Sequence, residues 1–103
     1  MTSVQLRTLA VGSINAAGAA IKARGFTCVN NGVGDFTVTL GDGGADAAEC
    51  LVFITPRTTA ATAIPRVVHT SDTAKQILFL SDAGAAVDTA FDVLVQQFVA
   101  GTT

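Results

Sequence analysis

The chain has 103 residues and a formal net charge of −2, which is a length typical of one domain with a single hydrophobic core. Half of the residues are hydrophobic and only 14% are charged, against about 25% in an average soluble domain. The six Lys and Arg residues are scattered, which argues against the clustered basic surface of a nucleic-acid-binding protein. Because no segment approaches the ~20 apolar residues of a membrane-spanning helix, a membrane is not an expected partner either.

The first predicted strand is Val4 to Val11, in which Val4 and Leu6 alternate with Gln5 and Arg7. Alternation of this kind is typical of a strand with one buried face.

The next stretch allows two interpretations. Residues 12–18 have the composition of a turn, and Ala19 to Val29 then forms a second strand. The alternative is an Ala-rich helix from Ala16 to Arg24, which Asn15 and Gly18 weaken by only about 1 kcal/mol or less each. Both interpretations stay open at this point.

The remaining elements are better marked. Phe36 to Leu40 alternates apolar residues with threonine, and the Gly-rich segment 41–44 ends it. Pro56 is predicted to end the following strand, and Pro65 must lie either at an edge or at the first ladder position of its strand. The further strands predicted are Cys50 to Thr55, Ile64 to Thr70, Lys75 to Leu80 and Ala90 to Val99.

Short strands between frequent turn signals predict an all-β fold. We expect an antiparallel β-sandwich, jelly-roll-like, of about seven to eight short strands. It forms a single domain over residues 1–103, in which residues 1–18 are either an extended arm or an edge strand.

Three of these strands contain unbroken apolar runs, at Leu51 to Ile54, Ile77 to Leu80 and Val93 to Val95. A strand with one solvated face alternates apolar and polar side chains, so a continuous run indicates that both faces are covered. A chain of this length is too small to cover them all. The runs therefore predict that other copies of the chain, or a larger assembly, cover some strand faces.

The candidate chemical sites are weak. His69 lacks a nucleophile and an orienting carboxylate in a suitable pattern. Asp42, Asp46 and Glu49 do not have the spacing of a calcium loop, and the Gly-x-Gly of residues 32–34 lacks the third glycine and the helix of a dinucleotide site. The sequence therefore predicts no catalytic residue, no cofactor and no metal site.

The two cysteines, Cys28 and Cys50, are too few for a disulfide framework. A bridge between them requires that their strands be neighbours, and reduced thiols are the default in the cytosol. The sequence is compatible with both a Cys28–Cys50 disulfide and two reduced thiols.

Six phenylalanines occur without any Trp or Tyr, a balance typical of core packing rather than of a carbohydrate or peptide site. We predict that Phe26, Phe36, Phe53, Phe79 and Phe91 lie in the core, and that Phe98 contacts another subunit. The full set of residues predicted to contact another subunit or a partner is Phe98, Val99, Leu94, Leu78, Leu80, Val4 and Leu6.

The stretch from Gly32 to Phe98 resembles small β-sandwich domains of tailed-bacteriophage virions. The resemblance is carried by Gly-x-Gly-x-Phe-x-Val-Thr-Leu at 32–40, Val-x-Ile-Thr-Pro at 52–56 and Asp-Ala-Gly-x-x-x-Asp-x-x-Phe-Asp-Val-x-Val at 82–95. These motifs, in this order, cover about two-thirds of the chain.

The resemblance implies a non-enzymatic virion structural protein, commonly a homotrimer, that is assembled in the host cytoplasm. The expected function is that of a capsid decoration (cement) protein, with further copies of itself and the major capsid protein as partners. The alternative is the receptor-binding tip of a tail or head fibre. A small hydrolase or ligand-binding barrel is a weaker third reading, because no convergent polar residues mark a cleft.

Overall fold

The structure, a computed structural model, describes residues 4–41, 50–57 and 63–100. Within these ranges the chain forms eight strands and no helix, and therefore no helix that could cross a membrane. The strands are β1 (Val4–Ile14), β2 (Ala20–Arg24), β3 (Phe26–Gly32), β4 (Asp35–Leu40), β5 (Cys50–Arg57), β6 (Ile64–His69), β7 (Ala74–Leu80) and β8 (Ala90–Ala100).

The strands form two four-stranded sheets. Sheet A has the order β2-β1-β8-β5, sheet B has the order β3-β4-β7-β6, and every pair of neighbours is antiparallel. In the stacked sheets β3 lies opposite β1 and β2, and β5 lies opposite β6. The predicted all-β sandwich is confirmed.

The core lies between the two sheets and is built from alternate residues of the central strands. Phe36, Phe79 and Phe91 are fully buried, with ring centroids 5.0 to 5.9 Å apart. Edge-to-face and tilted contacts of this kind add to the free energy gained from burying the rings. The other buried apolar residues are Leu9, Ala10, Ile14, Phe26, Val38, Leu40, Cys50, Ile77, Val93 and Val95.

The ambiguous stretch after β1 is a turn followed by two strands, so the helical alternative for residues 16–24 is wrong. β1 continues to Ile14, and the side chain of Asn15 then accepts hydrogen bonds from the backbone N–H groups of Ala17 and Ala19 at 3.0 and 2.9 Å. Local bonds of this kind favour a turn over a helix. Gly25, with a φ of 82°, divides the single predicted strand into β2 and β3.

Both prolines lie in edge strands. β5 continues through Pro56 to Arg57, so the prediction that Pro56 ends this strand is wrong. Since β5 is the last strand of sheet A, its outer side needs no hydrogen-bond donor, and proline is tolerated there. Pro65 lies in β6, an edge strand of sheet B, as its sequence context predicts.

The longest strands, β1 and β8, pair along their whole length from Val4↔Ala100 to Ile14↔Phe91. They make the molecule elongated, 47 Å long and 24 by 22 Å across. β1 lies between β2 and β8 only over residues 11–14, whereas residues 4–10 pair with β8 alone. The first described residues pair with the end of β8, a part of the sheet here called the β1–β8 ribbon, and among the described residues they form a local edge of sheet A.

Candidate assembly surface

The outer face of sheet A carries a row of side chains that crosses all four strands. The strand register places them side by side as Arg24, Val11, Leu94 and Phe53. Three of these four are large and apolar, although residues on the outer face of a sandwich sheet are normally polar. This row is the centre of an unusually apolar sheet face.

Further apolar residues extend the row toward the end of the β1–β8 ribbon, where Leu6 pairs with Phe98, and along β5 at Leu51. The apolar face is defined here as the outward side chains Leu6, Val11, Leu51, Phe53, Leu94 and Phe98. Of these, Leu6, Val11, Phe53 and Phe98 each expose between 40% and 49% of their surface. The polar pair Thr8–Gln96 lies between Leu6–Phe98 and the central row, so the apolar face consists of two groups joined through Leu51 on β5. Grouped apolar surface of this kind marks an interaction site more often than isolated exposed residues do.

The adjacent row on the same face is polar and internally bonded; across the strands it consists of Lys22, Ser13, Asp92 and Thr55. The Ser13 hydroxyl donates to one Asp92 carboxylate oxygen at 2.5 Å, and Arg57 Nε donates to the other at 2.9 Å. The Ser13 hydrogen bond is the main cause that lowers the pKa of Asp92 below its ordinary value; burial opposes it and Arg57 adds to it. Asp92 is therefore ionised and locally neutralised.

The two rows line a shallow cleft of about 600 Å³. Val11, Leu94 and Phe53 supply apolar lining, and Lys22 and Arg24 stand on the β2 side. Both cations are on an exposed strand and form no ion pair within the described ranges. Because Arg57 and Ser13 already bind Asp92, the cleft combines an apolar floor with a net positive wall.

The outer face of sheet B is different, because its centre is occupied by hydrogen-bonded polar side chains. Asn31 donates to Thr37 Oγ1 at 2.6 Å and to Asp35 Oδ1 at 3.3 Å, and Gln76 donates to the same Asp35 oxygen at 3.0 Å. This face satisfies its own polar groups and can remain in water. The outer face of sheet B also exposes Val29, Ile64 and Leu80, but the polar network separates Val29 from the other two. The longer apolar row of sheet A makes that face the better candidate for a covered surface.

The residues predicted to contact a subunit fall on both faces. Leu6, Leu94 and Phe98 belong to the apolar face of sheet A. Leu78 and Leu80 lie on the outer face of sheet B, where they pair with Arg66 and Ile64 of β6. The structure therefore does not bring all of them together.

The remaining two, Val4 and Val99, lie in the β1–β8 ribbon, opposite Ala100 and Gln5. The side chains of Val4 and Val99 lie outside what the structure describes.

Phe53 was predicted to lie in the core, and this prediction is wrong. Its pairing with Leu94 directs it to the outer face of sheet A. The sequence contains a signal for this orientation, because alternate residues of a strand share a face, and the polar residues Thr55 and Arg57 therefore share the face of Phe53. Val11 was missed because β1 was expected to end there.

Lys75 is fully buried, which its sequence context did not indicate. Its ammonium group donates to the carbonyl oxygens of Ser71 at 2.7 Å and Asp72 at 3.0 Å. These bonds close the β6–β7 turn and compensate for the loss of water around the charge. The residue stabilises a turn, and His69 at the end of β6 is exposed beside it.

The two cysteines lie far apart in the sandwich, Cys28 in β3 at one edge of sheet B and Cys50 in β5 at the opposite edge of sheet A. Neither forms a disulfide bond. Burial raises the pKa of the Cys28 thiol to about 11, so this thiol is protonated at neutral pH and is a poor nucleophile.

Residues 4–41, 50–57 and 63–100 contain no group of three His, Cys, Asp or Glu side chains that could hold a metal ion. The acidic residues Asp42, Asp46 and Glu49 lie outside the described residues. The Gly-x-Gly segment at 32–34 leads through a turn directly into β4. No family model matches the chain, and neither a curated protein nor a solved structure is detectably similar to it.

Proposed function

We propose that this chain is a non-enzymatic structural protein of a bacteriophage virion, a homo-oligomeric capsid decoration protein that stabilises the head. The observation that carries the proposal is the apolar face of sheet A, which a folded single chain leaves in water. Exposed apolar side chains at cross-strand positions gain free energy when a second protein surface covers them.

The size of this face suits a contact between subunits. At ~4.8 Å between strands and ~3.3 Å per residue, β1, β8 and β5 over about eight residues and β2 over about four project roughly 440 Å². Side-chain relief makes the accessible area larger, so this face supplies more than half of the ~800 Å² that each partner buries in a standard interface. At about 25 cal/mol per Å², burial of the apolar part of this face contributes a free energy of the same order as the ~4–15 kcal/mol cost of association.

The virion part of the proposal rests on the resemblance of residues 32–98 to phage β-sandwich domains and on the charge-poor composition. Only 14% of the residues are charged, which suits a protein that works packed against neighbours rather than as a free monomer. Many copies on one shell would hold neighbouring capsid subunits through avidity, even where each contact is weak.

The test combines native mass with co-sedimentation on purified shells of the major capsid protein from the same virion. We expect the wild-type chain to be oligomeric and to pellet with the shells. Phe53→Ser should weaken self-association, because it removes an exposed aromatic ring from the apolar face. Val29→Ser, at a 59% exposed position on β3 of sheet B, is the matched control and should behave as wild type.

An oligomer that ignores the shells but competes with phage adsorption to cells would overturn the decoration role in favour of a fibre tip. If Phe53→Ser and wild type self-associated equally, the apolar face would not be the contact between copies.

A further inference from the structure

The β3–β4 turn is complementary to the sheet A cleft, because it combines a projecting apolar side chain with nearby carboxylates. Val33, at its apex, exposes 62% of its surface, which is unusual for a branched apolar residue at a hairpin tip. Asp35 is two residues further along the chain, and Asp88 contacts the neighbouring Gly34. The Val33 tip, defined as Val33 with Asp35 and Asp88, is thus an apolar projection flanked by two carboxylates.

The Val33 tip is held in one conformation by its neighbours. The backbone N–H of Gly34 donates to Asp88 Oδ1 at 2.7 Å, and its carbonyl accepts from the N–H of Phe79 at 2.8 Å. Gly34 has a φ of 65°, and a Cβ there would lie 2.8 Å from the carbonyl oxygens of Phe79 and Val87. A pre-ordered projection loses little conformational entropy when it binds.

The carboxylates keep an unused oxygen. Asp88 accepts from Gly34 through Oδ1, and Asp35 accepts from Asn31 and Gln76 through Oδ1. In both residues these bonds leave Oδ2 available to a cation on another molecule, and charge-assisted bonds of this kind favour one docking orientation.

The sheet A cleft offers the complementary surface. It has an apolar floor at Val11 and Leu94 and two cations, Lys22 and Arg24, on one wall. Its volume of about 600 Å³ is ample for a valine side chain with its flanking residues. The chain as a whole has a net charge of −2, so the positive cleft is a local feature that suits an acidic partner such as a second copy.

From this complementarity we infer that the Val33 tip of one copy docks in the sheet A cleft of the next copy. The valine packs on the apolar floor, and Asp35 and Asp88 approach Lys22 and Arg24. The inference rests on the proposed function, since it names which part of a second copy covers the apolar face. The contact is heterologous because the two surfaces differ, and such a contact gives a ring where the rotation between copies closes and an open filament where it does not. The expected product is a three-membered ring, which is the homotrimer that the resemblance implies.

A complementation experiment tests the contact with two variants at exposed positions. Val33→Ser damages the tip and leaves the cleft intact, whereas Lys22→Glu/Arg24→Glu damages the cleft and leaves the tip intact. Val29→Ser, which also shortens an exposed valine to serine, is the control. Circular dichroism checks that each variant keeps the fold, and sedimentation equilibrium measures association.

We expect each damaged variant to associate at least about tenfold more weakly than wild type, a loss of ~1.4 kcal/mol. The control should match wild type. An equimolar mixture of the two damaged variants restores one intact contact, and should give a species of about twice the 10.4 kDa chain mass that contains one copy of each.

Three results would overturn the inference, and they can be told apart. If Val33→Ser associates like wild type while Phe53→Ser does not, the apolar face is covered by something other than the Val33 tip, and the proposed function stands. If both damaged variants fail to associate and their mixture yields no mixed pair, the contact is not heterologous. If wild type itself is monomeric, the proposed function fails together with the inference.

Discussion

At the level of single residues, strand parity decides which apolar side chains stabilise the fold and which remain available for partners. Phe79 and Phe53 lie in similar apolar runs, yet Phe79 is fully buried and Phe53 is half exposed. The difference follows from pairing, because Phe53 lies opposite Leu94 on the outer face of sheet A. An apolar run by itself does not reveal which of its alternate residues point inward.

Lys75 gives a residue-scale prediction about the buried ammonium group. Lys75→Met keeps most of the side-chain volume but removes both donors to the Ser71 and Asp72 carbonyls. We expect the free energy of unfolding to fall by about 1.5–3 kcal/mol, the usual contribution of a hydrogen bond to a charged group. Urea denaturation in a Phe53→Ser background, where association does not contribute, measures this, and Lys22→Met on the exposed strand β2 is the control. A Lys75→Met protein as stable as the control would show that the bonds add nothing to stability.

Asp92 should make the free energy of unfolding depend on pH. Its pKa is lower in the folded chain, mainly because of the Ser13 hydrogen bond, so its contribution is present above the unfolded-state pKa of about 3.9. That contribution is lost as the pH falls through the lower folded-state value. We therefore expect Asp92→Asn to reduce stability at pH 7, with a difference from wild type that shrinks toward pH ~2.

Urea denaturation at several pH values follows this difference. The measurement is made in a Phe53→Ser background, so that association does not contribute to the result. If the difference in stability between the two proteins stayed constant from neutral to acidic pH, ionisation of Asp92 would not be its cause.

At the level of elements, strands with clean alternation were predictable and those at backbone irregularities were not. The prediction for 36–40 matches β4 within one residue, and the last two strands agree as closely. The stretch 19–29 was not resolved, because its division depends on the positive φ of Gly25. The candidate surface was partly predictable, since the apolar runs indicated covered faces, but the choice of sheet A required the register between strands that are distant in sequence.

Gly25 provides the prediction at this scale. A Cβ at this position would lie 2.1 Å from the Leu9 carbonyl oxygen, and the φ of 82° disfavours side chains as well. Gly84 has nearly the same φ, 83°, but nothing lies within 4 Å of its Cβ position. The conformational cost of ~1 kcal/mol is common to both alanine variants, and only Gly25→Ala adds the clash with Leu9. Gly25→Ala should therefore lower the free energy of unfolding, measured by urea denaturation, by more than Gly84→Ala does.

If the two alanine variants lost the same free energy of unfolding, the cost would come from the positive φ alone. The neighbouring β1 backbone would then move away from the new Cβ of residue 25 without loss of stability.

For the whole molecule, the outer face of sheet A carries the longer apolar row, whereas the centre of the outer face of sheet B is polar. The network of Asn31, Asp35, Thr37 and Gln76 keeps that centre suited to water. The apolar face of sheet A is adjacent to a positive cleft, and the Val33 tip lies at the β3–β4 turn of sheet B. Two complementary surfaces at different places on one chain form heterologous contacts, which give a closed ring of identical subunits when the rotation between copies closes.

The most direct test of this account is the native mass of the wild-type chain, measured by light scattering over a wide concentration range. A homotrimer, at about three times the 10.4 kDa chain mass, is the predicted result, with dissociation promoted by Phe53→Ser. A monomer that persists at the highest concentration would contradict the central claim that a second copy covers the apolar face of sheet A.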